Sequence, residues 1–457
     1  MDTLLWSEIL KFDLDNPKNQ YGFSTRLAFE NNWTAYFTKT AILEYKKFMY
    51  LAATSSEMVS PSEIVDIVWH QHLIFTTSYS DLCVVLKKRI EHIPSTHNRA
   101  ETEKFQRAKE ITKQLYGQNF GDQPKEIWEY TNQFEALHLD KSKVETGNIK
   151  KIFIVSLIVL IIPVYYLLKP ILIQIKNPDF LIYYFLLFTV VLVLAAQFVK
   201  TAFKVLYRKI KSNLVLANLS PLELVFLKKN KLEYVVQGVI NNLIISKKIK
   251  ILNNRLELID GTLTDNQYEN CVIEIMKDYD PLTYPQLYKT AELKPIFAQI
   301  EKGVSKIRET ITASKQFLFV VKIIMLILAF LLSIGFSRFI SGIVRDKPVT
   351  YLFFALIILI AVSNYYLNKM TDYLFSHTIP SFFKEEKQTE EIKKDWQWDY
   401  FFYGEIILVS SFIPLTEYAK TNYFQSSGGG SGSNCSSSSS SCSSSCGSSC
   451  GGCGGGD

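Results

Sequence analysis

Apolar positions along this chain fall into two regimes. Four stretches are almost unbroken: Ile152 to Leu168, Phe180 to Val199, Phe317 to Phe336 and Val349 to Leu367. Each is about as long as a helix needs to be to cross the hydrocarbon of a bilayer, and together they form two closely spaced pairs. Polar groups inside them are few: Thr189 and Gln197 in the second, Lys322 in the third, and Thr350, Ser363 and Asn364 in the fourth. Pro163 removes one backbone bond in the first run and predicts a kink near its end. Lys322 lies five residues into its run, so its stem reaches the headgroup level and the ammonium snorkels. Between the two pairs, apolar residues of the insert recur at helical spacing. The pattern predicts a mainly α protein. It comprises a helical domain over 1–150, a transmembrane hairpin over 151–200, an insert over 201–316, a second hairpin over 317–368, a segment over 369–426 and a tail over 427–457.

The insert carries local signals of its own. Ser220, Pro221 and Glu223 predict a capping box with proline at the first helical position. Leu232, Val235, Val236, Val239, Ile240 and Leu243 follow at helical spacing, then Ile249 to Leu252, the turn pair Asn253 and Asn254, and the strand Leu256 to Ile259. Two helices and a hairpin predict a small winged-helix-like unit. Its lysines at 228, 229, 231, 247, 248 and 250 suit a solvated or lipid-facing surface better than a nucleic-acid site, since nothing marks a base-reading helix.

Charge then sets an expected orientation. The chain has 457 residues with 50 Lys and Arg against 44 Asp and Glu. Near the span ends, fourteen cations lie on the side of the large segments: Lys141, Lys143, Lys150, Lys151, Lys200, Lys204, Arg208, Lys209, Lys211, Lys302, Lys306, Arg308, Lys315 and Lys369. The short loops hold five: Lys169, Lys176, Arg338, Arg345 and Lys347. The excess predicts that the large segments and both termini are cytoplasmic. The first twenty residues have no basic region followed by an apolar core, so no cleaved signal is expected. Loops of about a dozen residues leave no room for a receptor domain on the far side.

The tail from Ser427 to Asp457 contains fourteen Ser, ten Gly and five Cys, so it is expected to be disordered. Its thiols are Cys435, Cys442, Cys446, Cys450 and Cys453. Zinc binding, dithiol exchange through Cys450-Gly-Gly-Cys453 and lipidation all remain open for them.

The strongest chemical constellation is Asp66-Ile-Val-Trp-His70-Gln-His72 followed by Tyr79, Cys83 and His92-Ile-Pro94. Imidazole and thiolate are zinc ligands, which makes His70, His72, Cys83 and His92 the candidate metal residues and zinc the candidate cofactor. Ser60, Pro61 and Glu63 predict a helix start ahead of them. On that helix His70 and His72 project about 200° apart, whereas Asp66 and His70 share a face. A carboxylate and imidazole that satisfy each other is the commoner outcome for such a pair. Phosphate-loop, HExxH and dinucleotide-binding signatures do not occur, no GxSxG elbow lies between a predicted strand and helix, and ionisable groups deep in the spans, expected of a transporter, reduce to Lys322.

Two resemblances add to this reading. The stretch Glu44-Tyr-Lys-Lys-Phe-Met-Tyr-Leu-Ala-Ala53, then Val59 to His72 with its VDIVWHQH core, then Tyr79, Cys83 and His92-Ile-Pro94, resembles the glycine-rich domain-containing protein-like family over roughly residues 35–130. That resemblance implies no particular activity. Ser220-Pro-Leu-Glu-Leu224, Arg345-Asp-Lys-Pro-Val349 and the Cys-containing tail are similar to a bacterial multi-pass membrane family, from which the chain departs by Ser in place of much tail Gly. It implies a bacterial inner membrane. The expectation is a non-enzymatic scaffold or anchor in the lipid bilayer, binding protein partners rather than nucleic acid. The alternative is a metal- or thiol-dependent enzyme or sensor built on the His/Cys stretch.

Overall fold

The computed structural model describes residues 1–16, 21–93, 102–142, 148–176, 179–387 and 395–424. The tail cysteines and Pro94 therefore lie outside the described residues. The protein is mainly helical, and four of its helices are long and apolar enough to cross a membrane.

Among the described residues seven α-helices precede the spans: α1 (Thr3–Lys11), α2 (Phe23–Asn31), α3 (Ala35–Thr54), α4 (Glu63–Ile74), α5 (Thr76–Leu86), α6 (Thr102–Phe120) and α7 (Lys125–Trp128). The first long pair is α8 (Ile149–Gln174) and α9 (Asp179–Ile210). The helices α10 (Leu214–Ala217), α11 (Pro221–Lys229) and α12 (Leu232–Ile245) follow, then strands β1 (Ile249–Leu252) and β2 (Arg255–Leu258), then α13 (Gln267–Tyr279), α14 (Tyr284–Glu292) and α15 (Pro295–Thr312). The second long pair is α16 (Lys315–Val344) and α17 (Thr350–Tyr373), after which come α18 (Ile379–Glu386), α19 (Trp396–Tyr403) and α20 (Ile413–Ala419).

Each span is longer than its apolar run, because polar ends continue the helix beyond the hydrocarbon length. Helix α8 passes through both Pro163 and Pro170 without ending. The segment ahead of the first hairpin is tied to the start of the second: Lys315 N–H donates to the Asp140 carbonyl at 2.8 Å and Ser142 N–H to the Ala313 carbonyl at 2.9 Å. Helix α16 is the central member, with 61% of its apolar window buried against 6%, 22% and 28% for α8, α9 and α17. Small residues on its buried face allow close approach, as in membrane helix packing. A Cβ at Gly335 would stand 2.5 Å from the Tyr184 hydroxyl of α9 and 2.6 Å from Leu356 Cδ2 of α17. The Tyr184 hydroxyl donates to the Leu331 carbonyl at 2.9 Å.

What α16 buries, the outer helices leave open. Ile154, Val155, Ile158, Val159 and Ile162 of α8, Ile182, Leu186, Val190, Val193 and Leu194 of α9, and Phe354, Ile357 and Ile358 of α17 are all exposed. An apolar belt of this extent is foreign to a water-facing surface.

In the insert, Ser220 and Glu223 form the capping box with Pro221 at the first helical position. Strands β1 and β2 pair antiparallel across Asn253 and Asn254, both in the left-handed region at φ 50° and 61°, which is what a two-residue hairpin turn demands. Glu223 also reaches out of the insert. Its Oε2 accepts from Ser220 N–H at 2.7 Å and its Oε1 from Ala35 N–H, at the start of α3, at 2.9 Å. Burial pushes its pKa up, against the lowering effect of these backbone donors.

The residues before the spans are thus docked on the insert. Helix α2 packs on α15, Lys302 Nζ lies 3.4 Å from the Phe29 ring centroid, and a Cβ at Gly303 would meet the Trp33 carbonyl at 3.0 Å. Helix α19 closes the other side, where Tyr400 packs over Gly238. One continuous set of buried apolar residues joins these parts to the base of the spans.

Candidate metal centre

Helix α4 begins at Glu63 with Ser62 as its cap, the Ser62 hydroxyl accepting from Val65 N–H at 3.2 Å. Ser60 is engaged elsewhere: its N–H donates to Thr112 Oγ1 of α6 at 2.8 Å. From this start, Asp66 and His70 share one helical face, and the ligand atoms of Asp66, His70 and His92 all lie within 4.8 Å of one another. His92 Nε2 is 2.9 Å from Asp66 Oδ1, and His70 Nε2 is 3.3 Å from Asp66 Oδ2. The two imidazole rings stand edge to face at 4.4 Å.

His92 follows α5 in a stretch without regular structure, and three ties place it. Lys87 ends α5 in the left-handed region, and Lys88 Nζ donates to the Ala52 and Ser55 carbonyls at the end of α3, at 2.9 and 3.1 Å. The Tyr79 hydroxyl donates to the Ile90 carbonyl and accepts from Trp69 Nε1–H at 3.2 Å. Burial pushes the Tyr79 phenol up to about 12, so it stays a donor across the physiological range. Trp69 packs its indole 4.6 Å from the His92 ring. Asp66 and His92 then line a pocket of about 730 Å³ whose wall includes Glu63, Trp69, Lys88 and Arg89.

The structure brings together two of the four candidate residues and separates the other two from them. His72 faces the opposite way from His70 and is fully buried. Its Nδ1 sits 2.8 Å from the Tyr45 hydroxyl and its Nε2 3.0 Å from Ser78 Oγ, so both nitrogens are occupied. Burial pushes its pKa down to about 4, which keeps it neutral within a wall of Phe23, Tyr45 and Tyr79. Cys83, half-buried on α5, lies beside Tyr79 and does not join the Asp66 cluster. The carboxylate that completes the cluster is the residue four before His70, and that spacing is its signal in the sequence.

The donor set suits a divalent transition metal. Two imidazoles and one carboxylate are the common ligands of zinc and of non-haem iron, and three protein ligands leave a position open to water or substrate. With metal–ligand bonds of about 2.1 Å, tetrahedral ligand atoms stand about 3.4 Å apart. The two carboxylate–imidazole separations, 2.9 and 3.3 Å to different oxygens of Asp66, are at or below that spacing, so one ion could reach all three side chains with small adjustments.

A second carboxylate in this region is fully satisfied. Buried Glu44 accepts from Lys47 Nζ, the Tyr116 hydroxyl and Trp128 Nε1–H, each at 2.8 Å. It holds α3, α6 and α7 together behind the pocket.

No family model, curated protein or solved structure matches the chain.

Proposed function

We propose that the chain is a multi-pass integral protein of a bacterial cytoplasmic membrane. On this reading it is a non-enzymatic anchor that holds a helical assembly against the membrane for protein partners. The observation that carries this reading is the apolar belt: four long helices share small-residue packing around α16 yet turn Ile, Leu, Val and Phe side chains outward along their length. The excess of Lys and Arg around the large segments supports a cytoplasmic assembly with short loops on the far side. Several insert lysines are already engaged, Lys248 with Asp260, Lys250 with Glu257 and Lys229 with Glu405, which supports a solvated surface over phosphate binding. Expressed in a bacterium, the full chain should stay in the membrane fraction through alkaline carbonate extraction. Release into the supernatant would contradict the reading.

The Asp66, His70 and His92 cluster favours a second reading, in which the assembly is a metal-dependent sensor or enzyme that takes zinc or another divalent ion at the pocket mouth. Elemental analysis of the full chain in detergent tests it. About one metal per chain, lost in Asp66→Ala and in His92→Ala, is the expected result. Metal content that the two substitutions leave unchanged would remove it.

A further inference from the structure

The two hairpin loops meet at the end of the bundle away from the large segments, and between them is a cavity of about 650 Å³. Among the described residues its wall carries four cations, Lys176 from the first loop with Arg338, Arg345 and Lys347 from the second hairpin, and no carboxylate. None of the four forms an ion pair among the described residues. Arg338 is fixed in place: its guanidinium donates to the Leu172 carbonyl and, at 2.8 Å, to the Ile175 carbonyl, closing the end of α8.

Ser341 supplies an independent observation. Buried serines in these spans return their hydroxyls to the preceding turn, as Ser333 does to Phe330, Ser337 to Ser333 and Ser363 to Leu359, each at 2.7 Å. Ser341 lines the cavity at 2% exposure, and its Oγ has no partner among the described residues. A buried hydroxyl without a partner costs free energy unless something at the site completes it. Helix α17 adds donors, because it begins at Thr350 without a side-chain cap and its first turn, Tyr351 and Leu352, lines the same cavity. The second loop packs closely under the cavity, where a Cβ at Gly342 would stand 2.3 Å from Val349 Cγ1.

We propose that this cavity binds a phosphate group, held by Arg345, Lys347, Lys176 and the Ser341 hydroxyl beside the Arg338 clamp. A phosphodiester of an anionic lipid and free inorganic phosphate share that chemistry. The apolar wall of Ile173 and Leu181 suits the glycerol and acyl portion of a lipid.

The test uses the full chain in nanodiscs of phosphatidylcholine with or without phosphatidylglycerol, with bound lipid read by native mass spectrometry after release and phosphate binding read by calorimetry. Retention of phosphatidylglycerol over phosphatidylcholine, weakened about fivefold by each of Arg345→Gln and Lys347→Gln and also by Ser341→Ala, is the expected result and identifies the lipid source. Stoichiometric binding of inorganic phosphate with the same sensitivity supports the proposal and identifies the free anion instead. Arg345 and Lys347 are exposed, so their substitution leaves the fold intact, and Lys315→Gln at the opposite end serves as the charge control. Equal retention of both lipids with no phosphate binding, or losses no larger than in Lys315→Gln, would overturn the proposal.

Discussion

The buried imidazole of His72 makes the stability of α4 depend on pH in a way that can be worked out in advance. Its pKa falls from an ordinary 6.5 in the unfolded chain to about 4 in the folded one, because burial between Tyr45, Phe23 and Tyr79 disfavours the charged form. The unfolded state therefore binds the proton first as the pH drops. Stability is fully present above pH 6.5, declines between 6.5 and 4 and levels off below. The whole gap is worth about 3 kcal/mol, and by pH 4.5 most of it has been lost, on the order of fifty- to a hundredfold in the local opening equilibrium. Amide hydrogen exchange of residues 63–86 in the full chain, corrected for intrinsic rates, reads that opening without requiring the whole protein to unfold in one step. His72→Gln keeps a donor and an acceptor for Tyr45 and Ser78 but has no proton to gain. Its protection should be nearly flat between pH 7 and 4.5 whatever its absolute level. A wild-type protection factor that falls no more steeply than that of His72→Gln would refute the argument.

Other perturbations separate the parts of the assembly. Glu44→Ala leaves Lys47, Tyr116 and Trp128 without their shared acceptor and should cost about 3 to 5 kcal/mol, seen as lost exchange protection in α3 and α6. Gly303→Val pushes a side chain into the Trp33 carbonyl, so limited proteolysis should release the region before the spans more readily, at a cost of about 1 to 3 kcal/mol. Gly335→Leu, crowding Tyr184 and Leu356, should destabilise the detergent-solubilised chain by about 1 to 3 kcal/mol, read as a lower melting temperature, while leaving metal content unchanged. Tyr79→Phe removes the tie to the Ile90 carbonyl and should weaken metal binding by about tenfold or more with Asp66, His70 and His92 intact.

The spans were legible because a helix long enough to cross hydrocarbon leaves an uninterrupted apolar run, and the capping box at Ser220 and the Asn253-Asn254 turn were legible because their chemistry is local. The angle between residues two apart on a helix already separated His70 from His72, and the four-residue spacing already placed Asp66 beside His70. What a single strand of sequence did not carry was the arrival of His92. That depends on Lys88 reaching the end of α3 and on Tyr79 holding Ile90, contacts 33 to 36 and 11 residues apart in the chain. The central place of α16 was hidden for a related reason: composition marks a helix as apolar without saying which neighbours cover it. Ser60 gave way to Ser62 as the cap of α4 because Thr112, fifty-two residues on, claims the Ser60 backbone.

Cysteine accessibility in intact and permeabilised bacterial cells tests insertion and sidedness together. Single cysteines are placed at Asn254, in the exposed turn of the insert, and at Asp346, in the second hairpin loop, with the native thiols replaced by serine. A membrane-impermeant maleimide should label position 346 in intact cells and position 254 only after permeabilisation. Labelling of 254 in intact cells, or equal labelling of both positions in a soluble fraction, would contradict the membrane anchor described here.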